Sequence, residues 1–333
     1  MQTKIDVISV GDIVTDAFIK LMDNQASVYQ NENGLWLNMQ FGTKLPYDHV
    51  EVIEAVGNAS NAAVAFSRLG LNSSFITNVG DDDHGRDMIR ALAKNNVDTR
   101  FVRVNGGKKS NYHYVLWYGD ERTILIKHEN YDYHWPHVIP AEEPKWIYLS
   151  SVSEHAGDYH NKIADWLDTV SGINLAFQPG TFQMDLSNDS VRRIYQKSNV
   201  LILNREEAVL VSGGNHEDLH DLFNKLHDLG PQVVVITDGP SGAYASNGTD
   251  RYSMPLYPDV APPKDRTGAG DAFASTFVAA LIKGNTIEGA LQWAPINSMS
   301  VVQCVGAQEG LLTEDALANY LRKSPDWYRC SRL

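Results

Sequence analysis

The chain has 333 residues, 43% hydrophobic and 21% charged, enough to bury a large core and ordinary for a soluble globule. A formal net charge of −13, with no basic run of five or six residues, excludes a nucleic-acid or anionic-membrane surface built on clustered Lys and Arg. Cys304 and Cys330 are the only cysteines, too few for a disulfide framework and fitting no zinc spacing. With no apolar leader and no run of 18 apolar residues, a reducing cytoplasm is the expected compartment.

In chain order, "IDVISVG" (residues 5–11) predicts a buried first strand stopped by glycine. "NASNAAVAFSRLG" then predicts a helix with Ala59, Ala62, Ala63, Phe66 and Leu69 on one face and Gly70 as its stop. "SSFITNVG" follows as a strand and "DHGRDMIRALAKNN" as a helix. The alternation continues through "KWIYLS", "INLAF", "NVLILN" and "QVVVITDG". Strands alternating with helices imply an α/β fold, a doubly wound and mostly parallel sheet with helices on both faces and ligands beyond the strands' carboxyl ends.

Two regions break this rhythm. Residues 17–55 lack helical periodicity, and residues 110–135 predict two antiparallel strands around "YGDE". Together they are expected to form a small β-sheet lid on a single domain spanning 1–333.

"PPKDRTGAGDAFASTF" (residues 262–277) holds the strongest chemical signal. Ala272, Phe273, Phe277, Val278, Leu281 and Ile282 form a broad helical face, so the helix begins near residues 268–271, with Gly284 as its stop. A glycine-led helix start offers free N–H groups and a positive dipole end, so Gly268, Ala269 and Gly270 suit an anion hole. Asp271 then either accepts a proton beside that hole or caps the helix, a cap being worth about 1 kcal/mol. The fragment alone leaves both open. No Walker loop is present, and no G-x-G-x-x-G follows the first strand.

"DRTGAGDAF" resembles the C-terminal signature of the ribokinase-like (PfkB) carbohydrate kinases. In the family's order, "GDIVTD" resembles the end of its first strand and "VGNASNAAVAFSRLG" its N-terminal signature. "VGDDDHG", "NREE" (the N-x-x-E motif), "TDGPSG" and "VQCVGAQ" resemble its later segments, so the resemblance runs from about residue 5 to 312.

The resemblance implies a ribokinase-like fold and transfer of the γ-phosphoryl of ATP to a hydroxyl of a sugar-like substrate. It makes Asp271 the base, with Gly268, Ala269 and Gly270 as the anion hole. Asp12, Asp16, Gly57 and Asn61 are implied at the sugar. Asn204 and Glu207 would support Mg2+ and the phosphates, Glu207 through water, although the same spacing suits a capping box. Thr237, Gly239 and Gly242 would border the nucleotide, with Asn297 near the adenine. Asp265, Thr267 and the Gly306 carbonyl match positions where relatives bind an activating monovalent cation such as K+, while "QEG" at 308–310 departs from the pattern.

Two further departures, Val56 before Gly57 and Gln178 before Pro179, are expected to alter the sugar pocket and leave the phosphoryl-transfer core untouched. Arg122 and Lys127 of the lid either reach substrate or phosphate or lie on a solvated face. His128, His134 and His137 are expected to be lid packing or surface. Trp117, Tyr118, Tyr133 and Trp135 would stack on a substrate or pack a lid-to-lid homodimer. A nucleoside kinase and a non-catalytic sugar- or nucleotide-binding regulator are the alternative functions.

Overall fold

The structure, a computed structural model, describes residues 4–32, 34–119 and 121–333. Asp120, in the expected "YGDE" turn, lies outside them. The strands are β1 Val7–Val10, β2 Val14–Leu21, β3 Ala26–Asn31, β4 Gly34–Met39, β5 Tyr47–Val56, β6 Ser73–Gly80, β7 Val102–Asn105 and β8 Tyr112–Tyr118. They continue as β9 Glu121–Leu125, β10 Trp146–Leu149, β11 Asn174–Phe177, β12 Val200–Asn204, β13 Val233–Thr237, β14 Ala243–Ser246, β15 Arg251–Met254 and β16 Ser331–Arg332.

The large sheet runs in the order β16-β15-β14-β13-β12-β11-β10-β1-β6-β7. It is parallel from β13 to β7, and β13 through β16 pair antiparallel. Strand residues alternate between two apolar layers. Ile8, Ile147, Leu201 and Val234 bury into one, while Val7, Tyr148, Ile202 and Val235 bury into the other. The first layer packs the helices Tyr159–Thr169, Asp189–Lys197, Arg205–Ser212 and Leu219–Asp228. Helices Asn58–Arg68, Ala269–Ile282, Ile287–Val301 and Glu314–Arg322 cover the other. A sheet buried on both faces explains why its strands are near-continuous apolar runs.

From β1 the chain builds outward to β6 and β7, then crosses to β10 on the other side. Such a reversal opens a crevice at the strands' carboxyl ends. Asp12, Ser151, Gln178, Asn204 and Thr237 all stand at those ends.

A separate four-stranded sheet, β5-β2-β8-β9, covers this crevice, and β3 pairs with β4 apart from it. Pairing is antiparallel for β2 with β5 and for β8 with β9, but parallel for β2 with β8. Residues 126–139 form no strand. Tyr131 and Tyr133 of that segment bury in the apolar layer with Ile8 and Val10, so they pack the core and do not face a ligand.

Candidate active site

Helix Ala269–Ile282 starts at Gly268, whose φ of 80° is left-handed backbone that favours glycine. A Cβ at Gly268 would stand 2.4 Å from Ala307 Cβ, so the site tolerates no side chain. A Cβ at Gly270 would meet nothing within 4 Å, because that residue faces open space.

Asp271 is in the first turn and makes no cap bond, so helix capping does not explain it. Its Oδ2 accepts from Asn61 Nδ2 at 2.8 Å, and its Oδ1 accepts from Gln178 Nε2 at 3.1 Å. Burial pushes its pKa up, while the Asn61 and Gln178 donors hold it down. Against the dipole, which favours a weak base, desolvation restores basicity to this carboxylate.

Gln178 corrects a sequence expectation. It touches Asp271 directly and also accepts from the Tyr148 hydroxyl, so this departure lies within the core of the site. Gln308, in the departing "QEG", likewise donates to Asn61 Oδ1 at 3.0 Å and to the Ala55 carbonyl at 2.8 Å. Ala55 carries a φ of 59°, a left-handed conformation rare for a residue with a Cβ, and Ser60 binds the same carbonyl. These contacts hold the β5-to-helix turn that presents Asn61.

Three cavities adjoin the glycine turn, and two of them reach Asp271. The first, about 320 Å³, is lined by Asp16, Val56, Gly57, Asn61 and Asp271 and roofed by Phe18, Ile53, His113, Ile124 and Ile126 of the lid. The second, about 200 Å³, is lined by Asn204, Glu207, Thr237, Gln178, Gly268, Gly270 and Asp271. The third, about 160 Å³ and largely apolar, is bordered by Thr237, Gly239, Gly242, Leu256, Phe273, Pro295 and Ser298. Asp271, Gly268 and Glu207 line both the first and the second.

Asn204 and Glu207 form a reciprocal capping box, Glu207 N to Asn204 Oδ1 and Asn204 N to Glu207 Oε2, each 2.8 Å. Burial, with Asp271 nearby, pushes the Glu207 pKa up against the Asn204 amide. The box is structural, and it also sits in the wall of the second cavity. That cavity offers the Glu207 carboxylate, the Asn204 amide oxygen and the Thr237 hydroxyl, a set that suits a magnesium ion retaining its waters.

Two expected residues are placed elsewhere. The Asp12 carboxylate turns from the cavities to accept from Tyr133 Oη at 2.7 and 2.9 Å and from Ser153 N at 2.8 Å. Asn297 is fully buried, donating to Thr276 Oγ1 and accepting from Leu312 N. It joins two helices, and its neighbours Pro295 and Ser298 reach the third cavity instead.

Asp265 is tied to its own loops by three hydrogen bonds. Thr267 N and Oγ1 donate to Oδ1, and Gly306 N donates to Oδ2 at 2.8 Å. The Arg122 guanidinium of the lid stands 3.3 Å from Oδ1. Arg122 already balances the Asp265 charge, so a monovalent cation there gains no net attraction from the carboxylate. A like unit charge about 4 Å from the guanidinium is repelled by about 4 kcal/mol at an effective dielectric near 20.

Sequence reading missed His113. It pairs with Asp16 across β2 and β8, Nδ1 to Oδ1 3.5 Å, and its buried Nε2 and Asp16 Oδ1 have no hydrogen-bond partner among the described residues. His128, expected as packing or surface, also lines the first cavity, its ring 5.5 Å from His113 and 6.0 Å from Phe182. His134 lies 3.0 Å from Asp132 at the surface.

The model of the pfkB family of carbohydrate kinases matches residues 43–314. The chain belongs to that family. As such it is an ATP-dependent sugar kinase, a phosphotransferase with an alcohol group as acceptor. Among curated relatives, a Bacillus subtilis ribokinase is 27% identical over 272 residues, covering 80% of this chain and 87% of that one. A Klebsiella pneumoniae fructokinase is 27% identical over 277 residues, covering 79% and 88%. The fold is that of Arabidopsis thaliana ribokinase, solved with ribose and ATP, at a TM-score of 0.78, 18% identity and coverage of 96% and 99%. A Methanocaldococcus jannaschii nucleoside kinase superposes at a TM-score of 0.74 with 18% identity, covering 96% and 98%. No helix among the described residues is long and apolar enough to cross a membrane.

Proposed function

We propose that the chain transfers the γ-phosphoryl of ATP to a hydroxyl of a sugar held in the 320 Å³ cavity. The observation that carries this reading is the place of Asp271 in the wall shared by two cavities. The sugar lies on one side, with Asp16 accepting its hydroxyls and Gly57 and Asn61 beside them. The phosphates lie on the other, where Asn204 and Glu207 would hold Mg2+, Glu207 through water. The adenine occupies the apolar cavity bordered by Gly239 and Gly242.

Asp271 takes the proton as the hydroxyl attacks, and the amides of Gly268, Ala269 and Gly270 receive the charge building on the transferred group. Magnesium, when bound, neutralises phosphate charge. The chain's own part is positioning and electrostatics, which a loose transition state chiefly requires.

A nucleoside acceptor is the second reading, favoured by His128 and Phe182, whose rings form an edge contact in the wall of the sugar-side cavity. The setting proposed is the cytoplasm. A second copy of the chain is proposed to cover the lid's outer face, where Val52, Ala17, Tyr114 and Leu125 lie in one cross-strand row and all but Ala17 are exposed. The test is ADP release from ATP and Mg2+ across sugars and nucleosides. One strong sugar response supports the first reading, a nucleoside response the second. Silence with ligand still raising the melting temperature would favour a non-catalytic binder.

A further inference from the structure

We propose that Arg122 is a positioning residue for phosphoryl transfer, a lid-borne cation that holds the glycine turn through Asp265 in place of a bound monovalent ion. This rests on the reading above that ATP phosphates meet the glycine turn. Arg122 lies on β9, in the strand alternation shared with Ile124, which lines the sugar-side cavity. Its guanidinium is 3.3 Å from Asp265 Oδ1, and both side chains are largely withdrawn from solvent, at 21% and 9% exposure.

Asp265 in turn fixes both walls of the turn. It holds Thr267, directly before Gly268, through N and Oγ1. It also holds Gly306 N, directly before Ala307, against which Gly268 packs. Ile53 of β5 presses on Gly306 from the same lid, its Cδ1 2.4 Å from where a Gly306 Cβ would be. The lid therefore bears on both walls of the glycine turn, through the Arg122–Asp265 ion pair and through Ile53 on Gly306. None of the described residues lining the three cavities is Lys or Arg, so Arg122 acts from behind the glycine turn, through Asp265, and not by touching the ligand.

The experiment compares wild type, Arg122→Ala and Arg122→Lys in choline chloride and in KCl at equal ionic strength. It measures MgATP affinity by calorimetry, melting temperature, and initial rate with the best acceptor of the sugar panel. Wild type should be indifferent to the salt. Arg122→Ala should lose about tenfold in rate in choline chloride, as a displaced site does, and regain part of it in KCl. Its melting temperature should rise with KCl alone among the three proteins, and Arg122→Lys should keep most of the wild-type rate. A merely structural role would give no potassium response. Severalfold activation of wild type by KCl, or an unimpaired Arg122→Ala in choline chloride, would overturn the inference while leaving the kinase reading intact. Failure of all three proteins to bind MgATP would overturn both.

Discussion

Asn61 Nδ2 donates to Asp271 Oδ2 at 2.8 Å, joining the first helix of the chain to the glycine-led helix 210 positions later. Gln178 holds the other oxygen. Both donors favour the charged carboxylate, against burial, which favours the neutral one. Replacing Asn61 by Ala removes the larger of the two restraints, so the Asp271 pKa should rise. The acid limb of the kcat profile should then move to higher pH, and Gln178→Ala should move it the same way by less. Initial rates across pH check this; a limb that stays put or moves to lower pH would contradict it.

The two glycines of the turn should behave oppositely. Gly268→Ala forces a side chain into left-handed backbone, costing about 1–2 kcal/mol, and overlaps Ala307, costing about 1–3 more. The melting temperature should fall clearly. Gly270→Ala meets no neighbour, so the fold should stand while the new methyl narrows the phosphate cavity. Its signature is a raised KM for ATP at an unchanged melting temperature.

His160 makes the protein sensitive to acid. Burial lowers its pKa from 6.5 to about 4. Gln183 bonds its Nε2 at 2.9 Å and, through Oε1, holds the Gly180 amide at the edge of the sugar-side cavity. Because the folded state resists protonation, the stabilisation is present above pH 6.5 and is lost as pH falls through about 4. Its full size is about 3 kcal/mol. Wild type should lose more stability than His160→Gln over that window in denaturant titrations; parallel losses would contradict the assignment.

His113 should discriminate acceptors. Its unpartnered Nε2 and the facing Asp16 are buried polar atoms with room for a ligand group. His113→Ala should raise the acceptor KM about tenfold and leave the ATP KM within about twofold. A change confined to ATP would place His113 outside the acceptor pocket.

The parallel alternation, the glycine turn and the Asn204–Glu207 box were legible because each rests on residues close together in sequence. Periodicity reports burial, and a helix start needs only its own few residues. The partners of Asp271 were not legible. Gln178 and Asn61 come from separate strand and helix ends, and Gln308 reaches Asn61 across 247 positions. Sheet order, which no local pattern encodes, brings them together. His113 meets Asp16 through a parallel pairing of β2 with β8, whose register depends on the whole lid. Asp12 and Asp16 looked equivalent in "GDIVTD", yet the loop carrying Tyr133 takes one and leaves the other to the cavity.

The most direct measurement is ADP release by wild type and Asp271→Asn with the best acceptor of the panel, alongside calorimetric MgATP binding. Asparagine preserves size but cannot take the hydroxyl proton, and its single oxygen can accept from only one of Asn61 and Gln178. The account predicts a kcat lower by about a thousandfold with MgATP affinity kept within a few fold. An Asp271→Asn enzyme running near the wild-type rate would contradict it.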